Sequence, residues 1–432
     1  MGETWNQRMT AAVKKWGTAR TISSTAGERA VQYRQQKFAD LAVARSIRQH
    51  EKIGSMLGIE SPFFRVQEGR DGVMTQVEGK QILNFAWCDY LGLSKHPALT
   101  EASKAAIDEF GTCVSASRMV AGELTMHRQL ESEVAEFLGV EDAIAFVSGH
   151  AANVSTIGTI MGEGDLVIQD EFVHNSAVVG MRLSGCDTRM FRHNNIDQLE
   201  NILRETRAQY KKILIVIEGL YSTEGDTPDL ARICDLKEQF GAWLMVDDAH
   251  GIGVLGKNGR GIAEHCNVDA RRVDIWMGTL SKALASCGGY IAGSKEVIEV
   301  LRYGAPGFVF SVGLTPPNTA AALASVRTLR AEPDRVARLH ANGRLFLEEA
   351  KKLGLDTGKA EGYAMLPIMI GNGVKVARLW QRLFDRGINS SMIIYPGVPI
   401  NAGRLRFFLT SEHTPEQIKG LLRTIKEEYD RC

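Results

Sequence analysis

The sequence predicts an α/β fold, a mostly parallel central sheet with helices on both faces, followed by a smaller C-terminal α+β domain. Three observations carry that prediction. Between residues 95 and 300 six short apolar runs recur without the period-two alternation of a half-solvated strand, as strands buried on both faces do. Amphipathic segments such as Ile196 to Tyr210 and Leu230 to Phe240 lie between several of them, and strand–helix alternation builds parallel sheets. From about residue 311 the texture changes to long Ala/Arg/Leu-rich helical stretches and then to mixed short elements.

Residues 1–60 stand apart. They hold ten Lys and Arg against five Asp and Glu, in an Ala/Gln/Arg-rich, helix-permissive segment. A solvated helical arm, a docking arm for an acidic partner and an organelle transit peptide are the three readings open here. Residues 61–95 form an N-terminal segment leading into the large domain of residues 96–310. Its expected strands are Ala143–Val147, Leu166–Ile168, Ile213–Ile217, Trp243–Val246, Val273–Met277 and Tyr290–Ala292. In the C-terminal domain, residues 311–432, Pro316-Pro317 opens a helix to about Leu329, and a second runs from Arg335 to Leu353.

Composition narrows the function classes. A chain of 432 residues is ample for two or three domains of ~150 and needs no disulfide or structural metal to hold a core. Hydrophobic residues at 44% and charged residues at 24% exclude disordered and low-complexity classes. Lys plus Arg and Asp plus Glu both number 51, so the basic excess of a nucleic-acid binder is missing. The seven cysteines form no C-x-x-C pair, which predicts reduced thiols in a cytoplasmic enzyme rather than a disulfide framework or zinc site. No run of 18 apolar residues and no secretory-type apolar N-terminus occurs.

Ligands of such sheets bind at the carboxyl ends of strands, and polar residues cluster there. Ser148-Gly149-His150 follows the first strand, where a glycine and a helix N-terminus suit an anion. Asp170 and His174 follow the second, and Glu218 to Asp226 the third. Val246-Asp247-Asp248-Ala249-His250-Gly251 ends the fourth. A metal would need more converging ligands than that; a buried carboxylate that keeps a cofactor ring nitrogen protonated is the other reading. Gly278 to Ala285 ends the fifth and carries Lys282, whose small neighbours favour burial and a lowered pKa, the requirement for an amine nucleophile. The acid precedes the lysine by 35 residues, each at the end of its own strand.

That order resembles the fold type I pyridoxal-phosphate (PLP) enzymes. Asp89-Tyr90-Leu91-Gly92-Leu93, Ser117 to Gly122, His127-Arg128-Gln129-Leu130-Glu131, Val246 to Gly251 and Gly403-Arg404-Leu405-Arg406 resemble the α-oxoamine synthases over residues 60 to 425. The resemblance implies a PLP-transferase fold and a decarboxylative condensation of a small amino acid with an acyl thioester, on CoA or an acyl carrier protein, giving an α-amino ketone. Another fold type I activity, such as an aminotransferase, is the alternative. It implies that Lys282 holds PLP covalently, Asp247 pairs with the ring nitrogen, His250 bonds the ring oxygen and His174 stacks on the ring. Gly149, His150, Ser222 and Thr279 contact the cofactor, and Ser311 reaches the phosphate of a neighbouring subunit in a homodimer. Arg406 grips the amino-acid carboxylate. His150 stands where the family usually has an aromatic residue, and Cys88, where several members have Asn, is a candidate gatekeeper of the amino-acid pocket. Glu218 to Asp226 and Phe308 to Ser311 resemble the serine palmitoyltransferase side of the family.

Overall fold

A computed structural model describes residues 37–431. The chain divides into two units, Met1–Gly58 and Ile59–Cys432. The described part of the first is a 3-10 turn, Phe38–Asp40, and one helix, Ala42–Met56. At 100° per residue, Arg45, Arg48 and Lys52 share one face of that helix and Val43 and Ile47 the opposite one. None of its residues is buried. Arg45 and Arg48 donate to the carbonyls of Asp40 and Ala39 in the preceding turn. The arm's other basic residues from Arg8 to Arg34 lie outside the described residues.

The second unit opens with β1 (Arg70–Asp71), β2 (Met74–Val77) and β3 (Lys80–Asn84), paired antiparallel. The central sheet holds β4 (Asp142–Phe146), β5 (Leu166–Asp170), β6 (Asp187–Phe191), β7 (Ile213–Glu218), β8 (Trp243–Asp247), β9 (Ile275–Thr279) and β10 (Gly289–Gly293). Its strand order is β4-β10-β9-β8-β7-β5-β6, and only β10 runs antiparallel to its neighbours. The expected mostly parallel sheet is therefore present. The chain closes with β11 (Met365–Gly371), β12 (Ile388–Asn389), β13 (Ser391–Ile393) and β14 (Gly403–Phe408) among long helices. A three-stranded sheet β11-β14-β13 forms there, while β12 crosses back to pair with β3, Ile388 opposite Leu83.

The missing period-two alternation has a direct cause. Ile213, Ile215 and Ile217 enter one hydrophobic core and Leu214 and Val216 the other, so β7 is apolar and buried up to its terminal Glu218. The sequence reading passes over β6 because it is an edge strand whose Asp187 to Met190 are exposed. The carboxyl ends of β5, β7, β8 and β9 bring Asp170, Glu218, Asp247 and Thr279 to one edge of the sheet.

Candidate active site

Asp247 is buried at the end of β8, opposite Glu218 in the register of β7. One carboxylate oxygen accepts from Asn153 Nδ2 at 2.8 Å and the other from the Ala249 amide at 3.1 Å. Asn153 also donates to Ser176 Oγ at 2.9 Å, and Ser176 Oγ lies 2.6 Å from His174 Nδ1. His174 caps the helix Asn175–Ser184. A buried chain of hydrogen bonds thus fixes the acid and His174 relative to one another. Asn153 and Ser176 carry no motif signal, and the sequence reading misses both.

Lys282 sits in the turn after β9. Burial pushes its amine below the ordinary lysine value, against the upward pull of the Asp247 carboxylate. His250 is held well below its usual value by burial, with Lys282 and Arg406 adding to the effect. Burial raises the Tyr90 phenol, and its hydroxyl lies 2.7 Å from His250 Nδ1. The un-ionised phenol and the neutral imidazole thus share one hydrogen bond, which leaves Nε2 as the ring nitrogen free for a ligand. Tyr90 belongs to a quoted motif, but its role emerges only from this contact.

Gly149 opens the helix Gly149–Ile160, capped by Ser148 Oγ accepting from Ala151 at 3.0 Å. A Cβ on Gly149 would meet Met277 Cε at 3.0 Å and Thr279 Oγ1 at 3.2 Å, so only glycine leaves this approach clear. His150 is exposed beside it. Thr279 Oγ1 lies 2.8 Å from Ser281 Oγ. The amides of Gly149 and His150 have no intrahelical acceptor, and with these hydroxyls they make a cradle for a phosphate.

Arg406 on β14 stacks over the Phe408 ring at 4.5 Å and donates from Nη1 to the Ser222 carbonyl at 3.0 Å. Its buried Nε has no partner among the described residues, leaving a guanidinium edge for a carboxylate. Burial lowers its pKa below the ordinary arginine value. The thiol of Cys88 is near enough to Tyr90, Lys282 and Arg406 to bear on the charge of each. Ser311 stands apart in the stretch after the helix Pro306–Val309 and makes no side-chain hydrogen bond among the described residues. The residues present fit PLP: a half-buried amine of lowered pKa, a buried carboxylate, a neutral histidine and an anion cradle at adjoining strand ends. Among the described residues no cluster suits a metal.

His193, which the sequence reading does not single out, lies in a second buried cluster. Its Nδ1 is 3.1 Å from Asp170 and its Nε2 2.9 Å from Asp226, with its side chain 4% exposed. Burial opposes its charge, but bonds to the two carboxylates prevail and hold its pKa up at about 9. Phe172 and Tyr221 pack on the ring, Asn194 bonds both acids and the Glu171 carboxylate accepts from the His193 amide. A histidine raised in the folded state stabilises fully below its unfolded value of ~6.5 and loses that contribution as pH rises through about 9. Melting temperature should therefore fall from pH 7 to pH 9.5, and the His193→Gln variant should show a flatter profile; parallel profiles would contradict the clamp.

The sequence profile described as aminotransferase class I and II matches residues 80–425. An 8-amino-7-oxononanoate synthase from Thermoanaerobacter pseudethanolicus is 37% identical over 362 residues, 84% of this chain and 91% of its own. One from Symbiobacterium thermophilum is 40% identical over 346 residues, 80% of this chain and 88% of its own. Among solved structures, Sphingomonas wittichii serine palmitoyltransferase aligns with a TM-score of 0.87 at 30% identity, over 92% of this chain and 98% of that one. A serine palmitoyltransferase carrying its PLP internal aldimine aligns with a TM-score of 0.87 at 28% identity, over 92% of this chain and 99% of that one. The relatives thus include oxononanoate synthases as well as the serine palmitoyltransferases that two loops resemble.

Proposed function

The chain belongs to the class I and II aminotransferase family, among its α-oxoamine synthases, and from that premise we propose how its own residues divide the work. It is a PLP-dependent acyltransferase of biosynthesis that condenses an amino acid with an acyl thioester. The bond from the amino acid's α-carbon to the acyl carbon forms, the thioester C–S bond breaks with the thiolate taking a proton, and the carboxylate leaves as CO₂, a second proton taking its place on the α-carbon.

The observation that carries the assignment is geometric: half-buried Lys282 follows β9, buried Asp247 ends the neighbouring β8, and burial pushes the lysine amine below its ordinary value. Lys282 would hold PLP, with Asp247 at the ring nitrogen, His250 Nε2 at the ring oxygen, His174 on the ring face and Gly149, His150, Ser222 and Thr279 around it. When bound, PLP supplies an electron sink for the α-carbon. Arg406 orients the amino acid through its carboxylate. Lys282 Nζ, whose pKa burial lowers, takes the α-proton. Cys88 borders this space and sets which small side chain fits. The test supplies PLP, a panel of small amino acids and a panel of acyl thioesters. Equal amounts of CO₂ and free thiol support the reading; a keto acid without thiol release overturns it.

A homodimer completes the site in this reading. Val120 is 82% and Phe310 76% exposed, with Met119 and Val312 beside them, and the Gly313 amide donates to the Ala116 carbonyl, which joins the two segments. Apolar side chains so exposed on either side of Ser311 suit a face covered by a second copy. The Val120→Asp/Phe310→Asp double variant should elute as a monomer in light-scattering chromatography, with activity lost; an unchanged dimer would contradict this.

The thioester carrier is the finer question. The exposed basic face of Ala42–Met56 favours an acidic acyl carrier protein over free CoA. Reversing the charge of Arg45 and Arg48 should raise apparent KM for carrier-bound but not CoA-bound substrate; equal effects on both would sink this reading. The described cysteines are free, which suits a reducing cytoplasm.

A further inference from the structure

We infer that His193 is a positioning residue for recognition of the amino-acid carboxylate, acting through the loop Tyr221–Asp226 on Arg406. The inference rests on Arg406 as the carboxylate-binding group. The loop is tight: the Tyr221 amide donates to the Asp226 carbonyl at 3.0 Å and the Gly225 amide to the Tyr221 carbonyl at 2.8 Å. At its far end His193 grips the Asp226 carboxylate and ties it to Asp170 at the end of β5. Asn194 adds a bond to the Thr227 carbonyl at 3.1 Å. At its near end the loop turns two carbonyls toward β14. Ser222 O accepts from Arg406, and Thr223 O accepts from Arg404, which also pairs with the buried Glu224.

The Ser222 carbonyl and the Phe408 ring therefore set the plane in which Arg406 offers its free Nε edge. Without a cation between them, Asp170 and Asp226 share only the neutral donors of Asn194 and repel. The loop then loses its far anchor, and the Ser222 carbonyl is no longer fixed. A carboxylate needs both donors of a guanidinium in plane, so it is the ligand most sensitive to that shift.

The experiment compares an amino acid with its methyl ester, which keeps the amine and lacks the charge. Each is titrated into the holoenzyme and followed by the cofactor's absorbance. His193→Gln should weaken amino-acid binding about tenfold, leaving the ester and the KM for thioester nearly unchanged. Equal weakening of both ligands, or none, would overturn the inference. Arg406→Lys separates the two claims. If it does not selectively weaken the amino acid, the Arg406 reading fails; if it does and His193→Gln does not, only the His193 inference fails. Should His193→Gln not fold, Asp226→Asn removes one charge but keeps an acceptor for His193. It should give the same selective loss, and an unselective or absent loss overturns the proposal.

Discussion

Replacing Lys282 with Ala is expected to lower turnover by about a thousandfold, the scale of losing a positioned base. Covalent capture of PLP should vanish with it. The cause lies in where the amine sits. Burial lowers its pKa even though the Asp247 carboxylate pulls the other way. The lowered pKa raises the neutral share of the amine, and only the neutral amine can attack an aldehyde or take a proton. Alanine leaves the turn after β9 intact, because Ser281 and Ala283 on either side keep their places and the Ala285 amide still reaches the residue-282 carbonyl at 2.9 Å. Borohydride treatment followed by peptide mapping should place the label at Lys282 in the wild type and nowhere in the variant. A variant that keeps the label, or a rate within about tenfold of wild type, would remove Lys282 from the mechanism.

Asp247→Asn should cost about two to three orders of magnitude in turnover, the scale of removing one preorganised electrostatic group. The change is nearly isosteric, but the two acceptor oxygens of Asp247 already serve Asn153 and the Ala249 amide. An amide can satisfy only one of those donors and turns its own NH₂ toward the other. The larger loss is the charge. Asp247 also raises the Lys282 pKa, so its removal lets that pKa fall further. A slow variant therefore cannot be attributed to an over-protonated lysine. Its pH–rate profile should keep or widen its range on the acid side while the plateau drops. An unchanged plateau would overturn the role given to Asp247.

The central sheet is legible in the sequence because β5, β7, β8 and β9 are buried on both faces over residues 166–168, 213–217, 244–246 and 275–277, which are apolar throughout. The strand-end positions of Asp247 and Lys282 follow from the same runs. Other parts leave no local trace. β6 is an edge strand with polar, exposed positions. β12 is two residues long and pairs with β3 some 300 residues earlier, so the segment after residue 61 shares its sheet with the C-terminal region.

The site divides along the same line. Gly149, Asp247, His250, Lys282 and Arg406 stand in motifs whose residue types announce their chemistry. Asn153, Ser176, His193 and Arg404 act by what they touch, and those contacts span up to 181 residues, as between Arg404 and Thr223.

By itself the sequence determined the layered α/β architecture and the order of the strand-end motifs, and singled out Asp247 and Lys282 as the proposed acid and amine, because burial and strand spacing are written residue by residue. Only the tertiary structure decided that Asp247 is held by Asn153, that Tyr90 bonds His250 and that His193 joins Asp170 to Asp226. Hydrogen bonds of this kind depend on distances between side chains far apart in the chain, and no local pattern of residue types encodes those distances.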